Sequence, residues 1–548
     1  MQEAPNTMTE PEQNITESRH LNEVNHVAST LVSSEPHGGA DIKSSHILHQ
    51  KVVLIPTPSG DPDDPLNWTQ TRKYVILAVL SVATFSEFTG ALAGQLEVAP
   101  LSKSYHVETS EVAYQNSAAN TGMIIGSLIF YPLSHVIGRP SAIFWSMIGV
   151  TLSQIWAALM TKSDNYDAYI ISRGFAGFFG TIVGVLGPRI LIDLFFLHQR
   201  GRVYTIFYFW MDVGNAVGPS ICAFIASASN WTWAFWWVAI LCGVSVLSIW
   251  CFLPDTTWDR REGAINRKPK RSWLRERVET FLPGTNVTSK KPPVEIVRPA
   301  VVPFRVALTP VTILTSLFCL LNFGFYVGMN SVAPVWLQRP VKSGGYGFTA
   351  NQNALFQFFH WVGIAMALLY GQLVSDHLPL ALAGRFNNGN WKPEYRLHAL
   401  WLPALICNPI GLGIFGYALQ NQLPWGLLRF SHILVTFGSL CVTPITVNYL
   451  SECFTNNIEE TAIVLNAFRV GFGLSLVFYI NPWVAKVGFA WAYGTMAFIQ
   501  VFSWLFLTVL MFRGYQIRQL NPFGLVSTEE GEHVLDKEKS VACRIDNS

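Results

Sequence analysis

The chain of 548 residues is half hydrophobic and only 13% charged, with a formal net charge of +2. So few charges cannot keep a folded surface of this size wet, which excludes an ordinary soluble globular protein. The near-balanced charge gives no basic face for nucleic acid, and the eight scattered cysteines form neither a disulfide framework nor a metal-ligand spacing.

In chain order, residues 1–72 are polar, rich in Ser, Thr, Glu, Asn and His, and carry no apolar run of the signal-peptide kind. They are expected to form a disordered cytoplasmic tail. The tail ends in Asp61-Pro62-Asp63-Asp64-Pro65-Leu66-Asn67-Trp68, a proline-stiffened entry that closes on an interfacial tryptophan. Twelve apolar runs of roughly 20 residues follow, each long enough for one bilayer crossing. They lie near 73–94, 112–132, 142–160, 167–187, 204–226, 233–253, 309–332, 353–374, 398–419, 424–446, 460–482 and 490–512. The predicted fold class is an all-α membrane protein with twelve transmembrane helices in two six-helix bundles. Residues 73–253 form the first bundle, 254–308 a cytoplasmic central loop, 309–512 the second bundle and 513–548 a second cytoplasmic tail.

Basic residues set the expected orientation. With the N-terminus inside, Arg139, Arg200, Arg202, Arg385, Lys392, Arg396 and the basic run from Arg260 to Arg277 fall on the cytoplasmic side. Lys103, Lys162, Arg339, Lys342 and Lys486 fall outside. The bias places both termini in the cytoplasm. The central loop is read as a solvated linker that fixes orientation, with contact to anionic lipid as the alternative.

Within the fifth run, Gly214-Asn215-Ala216-Val217-Gly218-Pro219 follows Asp212. At about 100° per residue, Gly214 and Gly218 share one side and Thr205, Tyr208, Asp212, Asn215 and Pro219 the other. The glycine side can pack backbone to backbone on a neighbouring helix. The opposite side puts a carboxyl and an amide at mid-membrane depth, where an unused charge is costly. Other ionisable groups inside the spans are candidates on the same ground. Glu87 in span one shares a face with Ala83, Gly90, Ala91 and Gly94, which leaves open space beside its carboxylate. His360 in span eight lies with Gln357, and Arg469 in span eleven with Asn466. Such polar-plus-small stripes suit helices that line a wet cavity. Arg173 in span four reads equally as a gating or a packing residue, His360 equally as a ligand or a bonded core histidine, and Arg469 as the partner of a carboxylate.

At Tyr131-Pro132-Leu133-Ser134-His135-Val136-Ile137-Gly138-Arg139, Arg173-Gly174-Phe175-Ala176-Gly177 and Gly214 to Pro219, the chain resembles the major facilitator superfamily, and within it the fungal-type drug:proton antiporters. The stretch Gly371-Gln372-Leu373-Val374-Ser375-Asp376 stands at the matching place in the second half. Two further segments, Asp61 to Trp68 and Asn387 to Leu397, are of the fungal kind. The superfamily's loop motif Gly-x-x-x-Asp-x-x-Gly-Arg keeps Gly138 and Arg139 but has Tyr131 for the glycine and His135 for the aspartate. In the superfamily that aspartate helps latch the cytoplasmic side; a histidine cannot act there as an anion, so a charge latch of the usual sign is in question. The fifth-span motif has Cys222 and Ala223 in place of its closing glycine pair.

The resemblance implies a proton-coupled secondary transporter working by alternating access, most simply an exporter of drugs, toxins or secondary metabolites. Its partners would be a small-molecule substrate, protons and membrane lipids, with no cofactor and no metal. A monomer in the plasma membrane is expected, with the vacuolar membrane as the alternative. Asp212 or Glu87 is the expected proton site. The competing readings are a proton-coupled importer of an organic cation or polyamine and a non-transporting membrane sensor. The chain has no HExxH, GxSxG or phosphate-binding Gly-x-x-x-x-Gly-Lys motif, so it is not read as an enzyme or an ATP-driven pump.

Overall fold

A computed structural model describes residues 61–258, 272–282, 293–341, 344–375, 377–386, 392–455 and 457–526. Asp376, Asn387 to Trp391 and most of both expected tails lie outside the described residues.

In hydrocarbon every backbone N–H and C=O must be satisfied within its own segment, which a helix does. Each of the twelve apolar runs forms such a helix, and twelve helices of spanning length and composition occur among the described residues. Most are longer than the apolar runs. Span five covers Leu197–Ala228, span seven Pro310–Gln338 and span twelve Phe489–Gln519. The helices continue through polar turns that hydropathy leaves out.

Pairing within the two halves repeats. In the first half, span one packs on span five, span two on span four and span three on span six. In the second, seven packs on eleven, eight on ten and nine on twelve. The seam between halves obeys the same two-fold rule, with span two against span eleven and span five against span eight. The faint repeat in the sequence is therefore explicit in the packing.

Several helices are interrupted. Span four is two helices, Tyr166–Phe179 and Ile182–Leu194, separated at Gly180 and Thr181. Span eight bends at Gln357, between Ala350–Phe356 and Phe358–Tyr370. Span nine opens with a wide turn over Trp401–Cys407. Spans two and three are joined by Gly138 alone, at φ 89°, and spans eleven and twelve by Gly488 alone, at φ 82°. Only glycine adopts that backbone without strain.

The end of the bundle at which the chain enters span one and leaves span twelve is here termed the terminal end; the opposite end is distal. The entry segment forms a short turn at Pro65–Asn67 capped by Asp64. The Lys73 ammonium donates to the Leu66 carbonyl at 2.8 Å, and the Arg72 guanidinium lies 3.7 Å from the Trp68 ring centre. The central segment differs from a solvated linker. Its helix Trp273–Phe281 buries Phe281, whose carbonyl accepts from Ser141 Oγ at 3.0 Å and from Trp145 Nε1 at 2.9 Å. A second helix, Pro293–Ala307, packs on both span two and span eleven.

Candidate functional site

Span five is oriented by its glycines. A Cβ at Gly214 would meet the Phe85 carbonyl oxygen at 2.7 Å, and one at Gly218 the Thr89 hydroxyl at 2.4 Å. Only bare backbone allows span one to approach this closely. With that side committed, the opposite side faces a cavity between the two halves. Asp212, Asn215 and Pro219 line it, with Gln357 and His360 from span eight and Asn466 and Arg469 from span eleven. Seven residues on three separate helices thus converge on one cavity. Tyr326 and Asn330 of span seven and Asn120 of span two also line it; sequence reading did not single out the two asparagines. The cavity volume is about 100 Å³, room for a few waters and well below the size of a ligand pocket.

The charged groups in the cavity are held differently. Asp212 is half-buried and makes no hydrogen bond or ion pair among the described residues, while Arg469 and Tyr208 lie within its electrostatic reach. Arg469 is secured by its own half. Its Nε donates to Asn466 Oδ1 at 3.0 Å, its Nη1 donates to Thr443 Oγ1 at 3.2 Å, and its guanidinium lies 4.8 Å from the Phe323 ring centre. Tyr208 does not line the cavity; it packs against Met211 and against Phe88 and Met123, which do line it. His360 Nε2 is 2.8 Å from the Tyr326 hydroxyl, and its Nδ1 is 3.3 Å from His432 Nε2. His432 is wholly buried. Three rings from spans seven, eight and ten thus form one hydrogen-bonded chain, and which nitrogens donate depends on the tautomers.

Glu87 departs from the expectation of open space. It is fully enclosed and outside the cavity lining. Its carboxylate accepts the backbone N–H groups of Val183 at 2.9 Å and Gly184 at 3.1 Å. These are orphan donors at the start of the second helix of span four, where the helix dipole also favours a negative charge. Beside it, Gly90 is filled by Val150, and Gly180 packs on Ala91. The break in span four, invisible to a helical wheel of span one, creates the donors that hold Glu87.

Bonds between the two halves bridge both ends of the cavity. At the terminal end Arg139 bonds Asp193 at 2.8 Å and reaches Glu459 of the second half at 3.6 Å, while Arg189 lies 3.3 Å from the same Glu459. At the distal end the Gln338 side chain donates to the Leu96 carbonyl and accepts from the Ala99 N–H, both at 3.2 Å, and Gln95 donates to the Asn330 carbonyl at 3.3 Å.

The sequence profile of the Major Facilitator Superfamily matches residues 76–386. The chain belongs to that superfamily. It is 24% identical over 464 residues to "Efflux pump radE" of Floropilus chiversii, covering 84% of this chain and 83% of that protein. It is 26% identical over 492 residues to "MFS-type transporter hepF" of Aspergillus oryzae, covering 88% and 98%. Among solved structures it resembles the proton:xylose symporter XylE bound to 6-bromo-6-deoxy-D-glucose, with a TM-score of 0.56 at 16% identity over 80% of this chain and 97% of that one. It also resembles the peptide transporter POT in complex with sulfate, with a TM-score of 0.55 at 12% identity over 82% and 95%. The protein is thus an integral membrane transporter of the superfamily, not an enzyme, and its fold is that of the superfamily.

The superfamily motifs take on specific roles here. His135 turns back on its own helix, with Nδ1 3.0 Å from the Tyr131 carbonyl oxygen and its ring edge-on to Tyr131. The latch questioned on account of His135 exists all the same, because Asp193 and Glu459 supply the anions that Arg139 needs. Arg173 is fully buried. Its Nη2 donates to the carbonyls of Gly90 at 3.0 Å and Ala91 at 2.7 Å, and its Nη1 donates to Gln154 at 3.3 Å. It fastens the last turns of span one to spans three and four. A Cβ at Gly177 would meet the Ala119 carbonyl oxygen at 1.9 Å, so this motif glycine permits backbone contact between spans four and two.

Proposed function

We propose that this transporter is a proton-coupled antiporter that exports small organic molecules, with Asp212 as the coupling carboxyl. The observation that carries the reading is the placement of Asp212: a carboxyl in the cavity between the halves, held by no hydrogen bond or ion pair among the described residues, and facing Arg469 of the other half. A carboxyl so placed binds either a proton or a polar or cationic group of a solute, not both at once, and that exclusion is what antiport requires. Rocking of the halves about the seam exposes it first to one side and then to the other. Arg469 sets the charge of the empty site, and the Tyr326–His360–His432 chain offers donors and acceptors that can reverse together. The terminal end faces the cytoplasm of the plasma membrane in this reading, in accord with the distribution of Lys and Arg.

The name of the Floropilus relative supports export. An unpaired carboxylate also suits an imported organic cation or polyamine, so direction is decided by flux. The test uses purified protein in vesicles with an imposed pH gradient and a panel of fluorescent organic cations and neutral aromatics. Solute is expected to move against the proton gradient. Asp212→Asn is expected to reduce gradient-driven flux to the vesicle leak while the protein stays folded and inserted. Full gradient-driven flux in that variant sinks the assignment, and flux in the direction of the protons replaces export with import.

A further inference from the structure

Glu97 lies outside the cavity and outside every motif considered above. It follows span one, at the start of the short helix Val98–Tyr105. It is 1% exposed, and neither of its carboxylate oxygens has a hydrogen-bond partner among the described residues. The links that close the distal end are attached on both sides of it. The Leu96 carbonyl and the Ala99 N–H bond to Gln338, and Gln95 bonds to Asn330. The titratable groups facing it are Tyr169 and Arg173 of span four and Cys222 of span five, all buried.

We propose that Glu97 is a proton-binding site of the distal gate, taking up a proton from the distal solution when the gate closes and returning it when the gate opens. Two unpaired oxygens on a buried carboxylate are too costly to leave charged. Arg173 does not relieve them by contact: its Nη1 and Nη2 donate to Gln154, Gly90 and Ala91, and its Nε makes no hydrogen bond among the described residues. Burial pushes the Glu97 carboxyl well above the usual carboxylate range, and the Arg173 charge pulls the other way with smaller effect. Parting of Gln338 from residues 96 and 99 wets the carboxyl and returns it to the ordinary range. The closed gate therefore binds more protons than the open one, and closure is favoured as the pH falls. The inference rests on the transport reading only for its physiological meaning, because gate closure can be followed without a substrate.

The experiment places spin labels at Lys103 and Val341, both exposed at the distal end, in a background with the native cysteines replaced, and measures their separation in lipid nanodiscs from pH 5 to pH 9. With Glu97 present, the short-distance population should rise as the pH falls. Glu97→Gln should hold that population high at every pH, and Glu97→Asp should keep the titration. Gln338→Ala, which weakens closure without touching the carboxyl, should move the midpoint to lower pH. Any of three results overturns the proposal: a Glu97→Gln variant that titrates like its parent, a parent that does not titrate, or a midpoint unmoved in Gln338→Ala. The last arm decides the matter if Glu97→Gln does not fold. Loss of flux in Asp212→Asn alongside an unchanged distance titration would separate failure of this inference from failure of the export reading.

Discussion

The two ends of the cavity are closed by different chemistry. The terminal end uses a four-member charge network, Arg139, Arg189, Asp193 and Glu459, which spans both halves. The distal end uses neutral amide bonds from Gln338 and Gln95 to backbone. A partly buried charge network is strong, directional and sensitive to salt; amide-to-backbone bonds are weaker and respond little to ions. The contrast makes the distal gate the easier one to open, and the proposal above couples that gate to pH through Glu97.

The largest expected effect comes from Arg139→Ala. It leaves Asp193 and Glu459 sharing Arg189 alone, and loss of a hydrogen-bonded partner from such a network is worth about 2–3 kcal/mol. The terminal-open population should grow about 30- to 150-fold, read as a longer separation between spin labels at Arg275 and Leu520. An unchanged distribution would mean that the helix at Pro293–Ala307 closes this end instead. Next in size is Gln338→Ala, which removes two neutral hydrogen bonds worth about 1–2 kcal/mol together. The distal-open population should grow about 5- to 30-fold between labels at Lys103 and Val341, with the terminal pair unaffected. The smallest is the effect of salt. At about 1 M ionic strength the screening length falls to about 3 Å, so the terminal end should loosen by less than about 1 kcal/mol while the distal end stays as it was. Equal salt responses at the two ends would erase the distinction between them.

Much of the cavity could be read from single helices. A wheel of span five separates Gly214 and Gly218 from Asp212, Asn215 and Pro219, and the structure puts those two sets on span one and on the cavity respectively. The same logic found Gln357 with His360 and Asn466 with Arg469. It works because 3.6-residue periodicity encodes which side of a helix is crowded and which is wet. It fails wherever the decisive partner lies on another helix. Glu87 looked like an open carboxylate until the break at Gly180 and Thr181 supplied its donors. His432 bonds His360 from two spans away. Asp193 and Glu459 restore the latch that His135 could not make, and nothing in the loop motif points to either. Glu97 lies between the first two apolar runs, at the N-cap of the short helix Val98–Tyr105, where a reading confined to the spans does not look. The first three are long-range pairings, and a sequence read one helix at a time holds no record of them.

Gly138 and Gly488 each serve as the C-cap of one helix and the N-cap of the next. A one-residue joint in a left-handed backbone has no length with which to absorb sliding. Spans two and three, and spans eleven and twelve, therefore travel as welded hairpins. Any tilting during turnover is shared among the longer connections, and a peptide tag spliced at either glycine would prise apart helices that must move together.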